Sequence, residues 1–196
     1  MINKILLVLF LCIAGFSVQA QKESSNTALI LIDIQDFYFP DGAAELSEPI
    51  PAAEKAQAIL KHFRKEGLLV VHVKHKAKAG AGIYELVKPI GDELVIEKTE
   101  VNAFNGTNLN EVLKANGIEN LVVLGMQTHM CVEGAVRGAY DLGYKLALVE
   151  DACATRDLVF NDMTIEAQEV HLSTLATLKS YANVINSEDF FKKFPF

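Results

Sequence analysis

Short, continuously apolar runs alternate along the chain with segments in which apolar residues recur every three to four positions. Runs rich in Val, Ile and Leu are typical of parallel strands that are buried on both faces. Apolar residues that recur every three to four positions are typical of amphipathic helices. The pattern predicts six strands, at residues 28–33, 68–73, 93–98, 120–125, 145–151 and 182–186.

Between these strands the helical period predicts four helices. Their expected bounds are residues 52–66, 108–117, 131–142 and 162–181. Pro51 precedes the first helix, and Gly67, Gly117 and Gly143 close the first three, as expected from helix start and stop signals. The Lys-, Gly- and Ala-rich segment 74–84 has no period and is predicted to be a loop. The alternation predicts a single-domain α/β protein with an open parallel sheet in a three-layer α/β/α arrangement.

The first twenty residues differ from the rest. Lys4 precedes a short apolar run, and Val18-Gln19-Ala20 supplies small residues before polar sequence resumes. This pattern predicts a secretory signal peptide, residues 1–20, cleaved after Ala20, which leaves residues 21–196 as the mature domain. The run falls short of the roughly 20 residues that span a bilayer. We therefore expect a protein exported to the periplasm or secreted, without membrane attachment after cleavage.

Composition narrows the classes of function. The chain has 196 residues, of which 51% are apolar, and this fits one compact domain. A net charge of −7, with no cluster of Lys and Arg, disfavours nucleic-acid binding and leaves a small molecule as the expected partner. Cleavage would leave two cysteines, Cys131 and Cys153, in an exported chain. The sequence leaves open whether they form a disulfide or remain free thiols.

Three chemically active residues lie where predicted strands end. Asp33 ends the first strand, Lys98 ends the third, and Cys131 follows the fourth after a short turn. Ligands of open α/β sheets bind outside the carboxyl ends of the strands, so these side chains are expected to share a cleft. A cation and a helix N-terminus both lower the pKa of a thiol, and Cys131 is expected to have both.

This set of groups supports nucleophilic acyl transfer. Asp33 would take the thiol proton, Lys98 would hold the resulting anion, and Cys131 would attack a carbonyl carbon. The backbone N–H groups of Gln127 and Cys131 would form the oxyanion hole. The substrate pocket is expected to include Gln35, Phe39, His75, Phe104 and His129.

Three ordered motifs also resemble a known family. Asp33-Ile34-Gln35 is followed by an aromatic and Pro-Gly-containing stretch, and the later segments read KTEVNAFNGTNL from Lys98 and GMQTHMCV from Gly125, with EDACAT further on. The sequence thereby resembles the isochorismatase-like cysteine hydrolases, which include nicotinamidases, N-carbamoylsarcosine amidases and ureidoacrylate amidases. The resemblance covers nearly all of the mature chain.

The resemblance implies a catalytic triad of Asp33, Lys98 and Cys131 and hydrolysis of an amide-type carbon–nitrogen bond through a thioester. It further implies a cis peptide bond between Met126 and Gln127, the strand order 3-2-1-4-5-6, and a homodimer or homotetramer. Nicotinamidases bind a metal through additional histidines, which are missing here after Asp33, so no cofactor is expected. Two histidines without a third ligand, His72 and His75, are weak evidence for a divalent metal.

Other functions remain open at this level. Better-known family members that hydrolyse the vinyl ether of isochorismate lack the cysteine, so this activity is the less favoured alternative. A non-catalytic binding domain with a Cys131–Cys153 disulfide is the alternative from another class. A metal-dependent hydrolase using His72 and His75 is the third.

Overall fold

The computed structural model of the protein describes residues 26–77 and 81–193. The predicted signal peptide lies outside these described residues. Within them, no helix combines the length and the apolar character that a bilayer span requires.

Six parallel strands form the central sheet, and a separate two-stranded hairpin lies outside it. In chain order the strands are β1 (Thr27–Ile32), β2 (Leu69–His75), β3 (Leu94–Lys98), β4 (Asn120–Met126), β5 (Lys145–Ala154), β6 (Leu158–Phe160), β7 (Met163–Ile165) and β8 (Asn183–Ile185). The order in the sheet is β3-β2-β1-β4-β5-β8. The predicted order 3-2-1-4-5-6 is confirmed, with β8 as the sixth predicted strand.

In the described part of the chain, five α-helices accompany the sheet: α1 (Pro49–Glu66), α2 (Leu109–Ala115), α3 (Glu133–Asp141), α4 (Ala167–Leu178) and α5 (Ser187–Lys193). The closing glycine of α1, Gly67, adopts the left-handed conformation at φ 63° that ends many helices. Residues 28–32 of β1 and 121–126 of β4 are buried throughout, which places these two strands at the centre of the core. The prediction of a single α/β domain is confirmed.

The prediction of one long helix over residues 162–181 was wrong at its start. Residues 158–165 form the antiparallel hairpin β6–β7, and α4 begins only at Ala167. The turn between the strands places Asn161 at φ 54°, a conformation that Asn tolerates better than most residues. The Asp157 side chain then accepts a hydrogen bond from the N–H of Ala167 at 2.8 Å and so fixes the start of the helix. The C-terminal helix α5 was not predicted.

The order of the strands places the site. The chain leaves β1 towards β2 and β3 and returns to β4 on the other side, so β1 and β4 flank the point where the order reverses. At the end of β4, Gly125 adopts φ 131° beside a bulge in the β4–β5 pairing. A Cβ atom there would collide with the carbonyl oxygen of Ile32, so only glycine lets β4 approach β1 this closely.

Candidate active site

Three different elements bring the predicted catalytic residues together. Asp33 follows β1 directly, Lys98 is the last residue of β3, and Cys131 lies in a π-helical turn, Thr128–Val132, between β4 and α3. Asp33, Lys98 and Cys131 are 0%, 1% and 5% exposed. Asp33 adopts φ 48°, an unfavourable conformation for a residue with a side chain and one that often occurs at functional sites.

The Lys98 amino group is the centre of the site. Its Nζ atom lies 2.7 Å from Asp33 Oδ2 in a fully buried ion pair. It donates hydrogen bonds to Cys131 Sγ at 3.1 Å, to the carbonyl oxygen of Glu100 at 3.1 Å, and to His75 Nδ1 at 3.2 Å. The Asp33 carboxylate is fully buried, and Lys98 and the Cys131 thiol both lie close enough to act on its pKa through side-chain hydrogen bonds. Its principal partner is therefore the Lys98 ammonium group.

The electrostatics correct one prediction. Burial, followed by the neighbouring Asp33 charge, raises the pKa of the Cys131 thiol to about 12, and Lys98 offsets this rise only in part. The expected low thiol pKa was therefore wrong for the resting site. Burial also raises the pKa of Asp33, against the opposing charge of Lys98. One ammonium balances one anion, and the shorter contact assigns that anion to the carboxylate, so the sulfur rests as a thiol.

The turn ahead of the nucleophile is held by its own backbone. The peptide bond between Met126 and Gln127 is cis. The Gln127 carbonyl accepts hydrogen bonds from the N–H groups of Met130 at 3.0 Å and Val132 at 3.2 Å. The Gln127 side chain donates to the hydroxyl of Tyr38 at 3.3 Å. The role of the Gln127 and Cys131 N–H groups as oxyanion donors stays a prediction.

Known proteins resemble this chain in sequence. Residues 27–189 match the family model of the isochorismatase domain. The chain is 42% identical over 179 residues to the uncharacterized isochorismatase family protein YddQ of Bacillus subtilis, covering 85% of this chain and 99% of that one. The chain belongs to the isochorismatase family. It is also 29% identical to the ureidoacrylate amidohydrolase RutB of Agrobacterium fabrum, over 89% of this chain and 81% of that one.

A solved structure supports the same family. An isochorismatase of Pseudomonas putida superposes with a TM-score of 0.80 at 35% sequence identity, covering 84% of this chain and 89% of that one. The family is therefore shown by sequence and by fold, and the chain is a hydrolase of the isochorismatase-like type.

The predicted pocket residues lie in different surroundings in this isochorismatase-family chain. His75, at the end of β2, contacts Lys98, whereas Gln35 is fully buried and bonds to the backbone of His75 and Ala81. Phe39 is buried and stacks on Tyr84. Two more predicted pocket residues, His129 and Phe104, contact Thr155 Oγ1 and the Tyr144 ring. Of these five residues, the contacts tie His75 and Gln35 to the catalytic group.

Sequence reasoning missed a histidine that supports the nucleophile turn. His171, on α4, is not among the predicted site residues, but its Nδ1 atom lies 2.9 Å from the hydroxyl of Thr128. Thr128 begins the π-helical turn. No local motif joins His171 to Thr128, because the two residues meet only through the packing of α4 against this turn.

His72 and His75 do not share a site. Side chains three positions apart on a strand point to opposite faces. His72 Nε2 lies 3.0 Å from Glu93 Oε2, and Arg64 holds the same carboxylate through two hydrogen bonds, at 2.7 and 2.8 Å. This set joins α1, β2 and the segment before β3, so His72 is a structural residue.

In the part of the chain that the structure describes, one group of Asp, Glu, His and Cys side chains is compact enough for a metal. It consists of Asp33, His75 and Cys131, whose donor atoms lie within 4.8 Å of one another. Lys98 Nζ contacts all three, at 2.7–3.2 Å. The ammonium group therefore takes the place that a bound cation would need.

Cys131 and Cys153 are separate free thiols. Cys153 is buried at the end of β5, where its thiol donates to the carbonyl of Val149 at 3.3 Å. The Cys131 sulfur instead accepts a hydrogen bond from the Lys98 ammonium group. The alternative of a Cys131–Cys153 disulfide is therefore wrong, and the Cys131 thiol stays free.

Proposed function

We propose that the protein is a cysteine hydrolase that cleaves the carbon–nitrogen bond of a small amide, carbamoyl compound or ureide through a thioester. The observation that carries the proposal is the position of Lys98 Nζ, 2.7 Å from Asp33 and 3.1 Å from Cys131 Sγ. A base, a cation and a thiol in mutual contact can ionise the thiol when a substrate arrives. The name of the relative RutB, an amidohydrolase, supports the choice of bond.

The reaction follows from the resting charges. Asp33 accepts the proton of the Cys131 thiol as sulfur attacks the carbonyl carbon of the substrate, and the carbonyl oxygen gains the negative charge. The tetrahedral adduct collapses as protonated Asp33 gives its proton to the departing nitrogen, which leaves as ammonia or an amine. Asp33 then removes a proton from water as the water oxygen attacks the thioester. The carbon–sulfur bond breaks and protonated Asp33 returns its proton to the leaving sulfur, so the acid product departs with Cys131 again a thiol.

Lys98 keeps this sequence feasible in a buried site. Sulfur is neutral at rest and briefly anionic, so it needs a cation that is already present when the proton leaves. Lys98 is fully buried and donates to sulfur before any charge develops. Hydrolysis of an isochorismate-type vinyl ether would make no use of this contact and is therefore the second candidate.

An ammonia-release assay over small primary amides, carbamoyl compounds and ureides tests the proposal. We expect at least one compound to release ammonia, and Cys131→Ser to lower kcat/KM by at least about 100-fold, because the variant lacks the nucleophilic sulfur. Cys153→Ser is the matched control and should keep the wild-type rate, since Cys153 contacts no catalytic group. Equal rates in Cys131→Ser and in the wild type would exclude the mechanism.

A further inference from the structure

We propose that His75 is a positioning residue that holds the Lys98 ammonium group against Cys131. This inference rests on the proposed function, because it concerns the group that stabilises the reacting sulfur. It changes the role expected for His75 from pocket lining to orientation of Lys98. The argument uses the contacts of three atoms: His75 Nδ1, Lys98 Nζ and Cys131 Sγ.

The contact between His75 and Lys98 fixes the state of the imidazole ring. Lysine ammonium groups only donate hydrogen bonds, so the 3.2 Å contact requires His75 Nδ1 to accept. A ring nitrogen that accepts carries no hydrogen, and His75 is therefore neutral with its proton on Nε2. A protonated ring would present both an N–H group and a like charge to Lys98.

The fold holds His75 in place for this contact. His75 and Lys98 are paired residues on the neighbouring parallel strands β2 and β3. The fully buried side-chain amide of Gln35 makes two hydrogen bonds to the backbone of His75. Its Oε1 accepts from the His75 N–H at 2.7 Å, and its Nε2 donates to the His75 carbonyl at 3.0 Å. Because the buried Gln35 side chain holds the His75 backbone in place, it also sets the direction in which the His75 ring projects.

The count of hydrogens on Lys98 shows what His75 does. An ammonium group has three hydrogens, and Lys98 Nζ has four acceptors within reach: Asp33 Oδ2 at 2.7 Å, the Glu100 carbonyl and Cys131 Sγ at 3.1 Å, and His75 Nδ1 at 3.2 Å. The neutral acceptors His75 and Glu100 draw hydrogens away from the carboxylate and keep the group turned so that one hydrogen also reaches sulfur. Without the acceptor at His75, the ammonium group would turn further towards its stronger acceptor, the Asp33 carboxylate, and its contact with sulfur would weaken.

Two substitutions separate this role from simple packing. His75→Asn keeps an acceptor, because the Asn Oδ1 atom takes nearly the place of Nδ1, whereas His75→Leu keeps bulk but offers no acceptor. With the best amide from the ammonia-release assay, we expect His75→Leu to lower kcat by about 10-fold to 100-fold with little change in KM, which is the loss expected for one buried donor left unpaired. His75→Asn should restore most of that loss.

Alkylation of Cys131 by iodoacetamide gives a second readout that needs no substrate. Peptide mass spectrometry separates Cys131 from Cys153, and thermal unfolding checks that each variant is folded. We expect alkylation at pH 8 to be severalfold slower in His75→Leu than in the wild type and His75→Asn, because the thiolate loses its aligned donor.

The outcomes are distinct. Wild-type kcat and alkylation in His75→Leu would overturn the inference, and so would a change confined to KM, which would make His75 a substrate-binding residue. Equal impairment of both variants would also overturn it. If no amide is hydrolysed, the proposed function fails, and the alkylation rates alone still decide whether His75 positions Lys98.

Discussion

At the residue scale, the site contains two acids and one cation. Asp33 and Cys131 can each become an anion, and Lys98 balances only one negative charge at a time. Burial raises the pKa of both acids. In this account the Cys131 proton moves to Asp33 only when a substrate carbonyl is present to take up the negative charge that develops. In this account, one negative charge moves between Asp33 and the reacting groups during catalysis, while the Lys98 ammonium group stays in place.

This account predicts that Asp33→Asn raises the reactivity of the Cys131 thiol towards alkylation but lowers the rate of substrate turnover. Removing the Asp33 charge should lower the pKa of Cys131 from about 12, so the thiolate fraction at any pH below that value rises. We expect faster alkylation of Cys131 by iodoacetamide at pH 8 together with loss of ammonia release, because the base is gone. The exposed control Asp92→Asn should change neither rate. Slower alkylation of Cys131 in Asp33→Asn would contradict the assignment of the resting charge.

The position of the candidate catalytic residues was predictable from the sequence, whereas their pKa values were not. Asp33, Lys98 and Cys131 stand at or just after strand ends, and parallel strands end at one edge of a sheet. The pKa of Cys131 depends on which acid lies closer to Lys98, a difference of 0.4 Å between contacts of 2.7 and 3.1 Å. Local sequence does not encode such a difference.

At the element scale, Gly125 sets the approach of β4 to β1. We predict that Gly125→Ala lowers the free energy of unfolding by about 3 kcal/mol or more, because the added Cβ atom would collide with the backbone at Ile32. Gly117→Ala is the control: this glycine also has a positive φ, 66°, but has no atom within 4 Å of the new Cβ. It should lose only about 1–2 kcal/mol.

Urea unfolding of the two glycine variants measures these changes. Equal losses for Gly125→Ala and Gly117→Ala would show that backbone conformation alone, rather than the contact between β1 and β4, requires glycine.

The strand pattern was predictable because buried parallel strands form continuous apolar runs. The hairpin β6–β7 was not, because its apolar residues also fit a helical period and its turn depends on one residue, Asn161, at positive φ.

At the scale of the whole molecule, we propose that the protein forms a homo-oligomer through the hairpin β6–β7. Val159, Phe160 and Met163 on this hairpin are 72%, 65% and 64% exposed. Large apolar side chains that cluster on a surface mark sites of association, and the resemblance to the family implied a dimer or tetramer. Export, with cleavage after Ala20, likewise stays a prediction.

Light scattering coupled to size exclusion tests the oligomer. We expect a mass of two or four chains for the wild-type protein and a smaller mass for the double variant Phe160→Ser, Met163→Ser. Ile90→Ser, at a site that is also largely exposed, should leave the mass unchanged. A double variant that keeps the wild-type mass would place the interface elsewhere.

The central claim is that Cys131 forms a thioester with the acyl part of an amide. Intact-mass spectrometry of acid-quenched turnover, with the amide that gives the fastest ammonia release, tests it most directly. The account predicts that the wild-type protein gains the mass of the acyl group, that peptide mapping places it on Cys131, and that Cys131→Ala gains nothing. An equal adduct in Cys131→Ala, or an adduct that maps to Cys153, would contradict it.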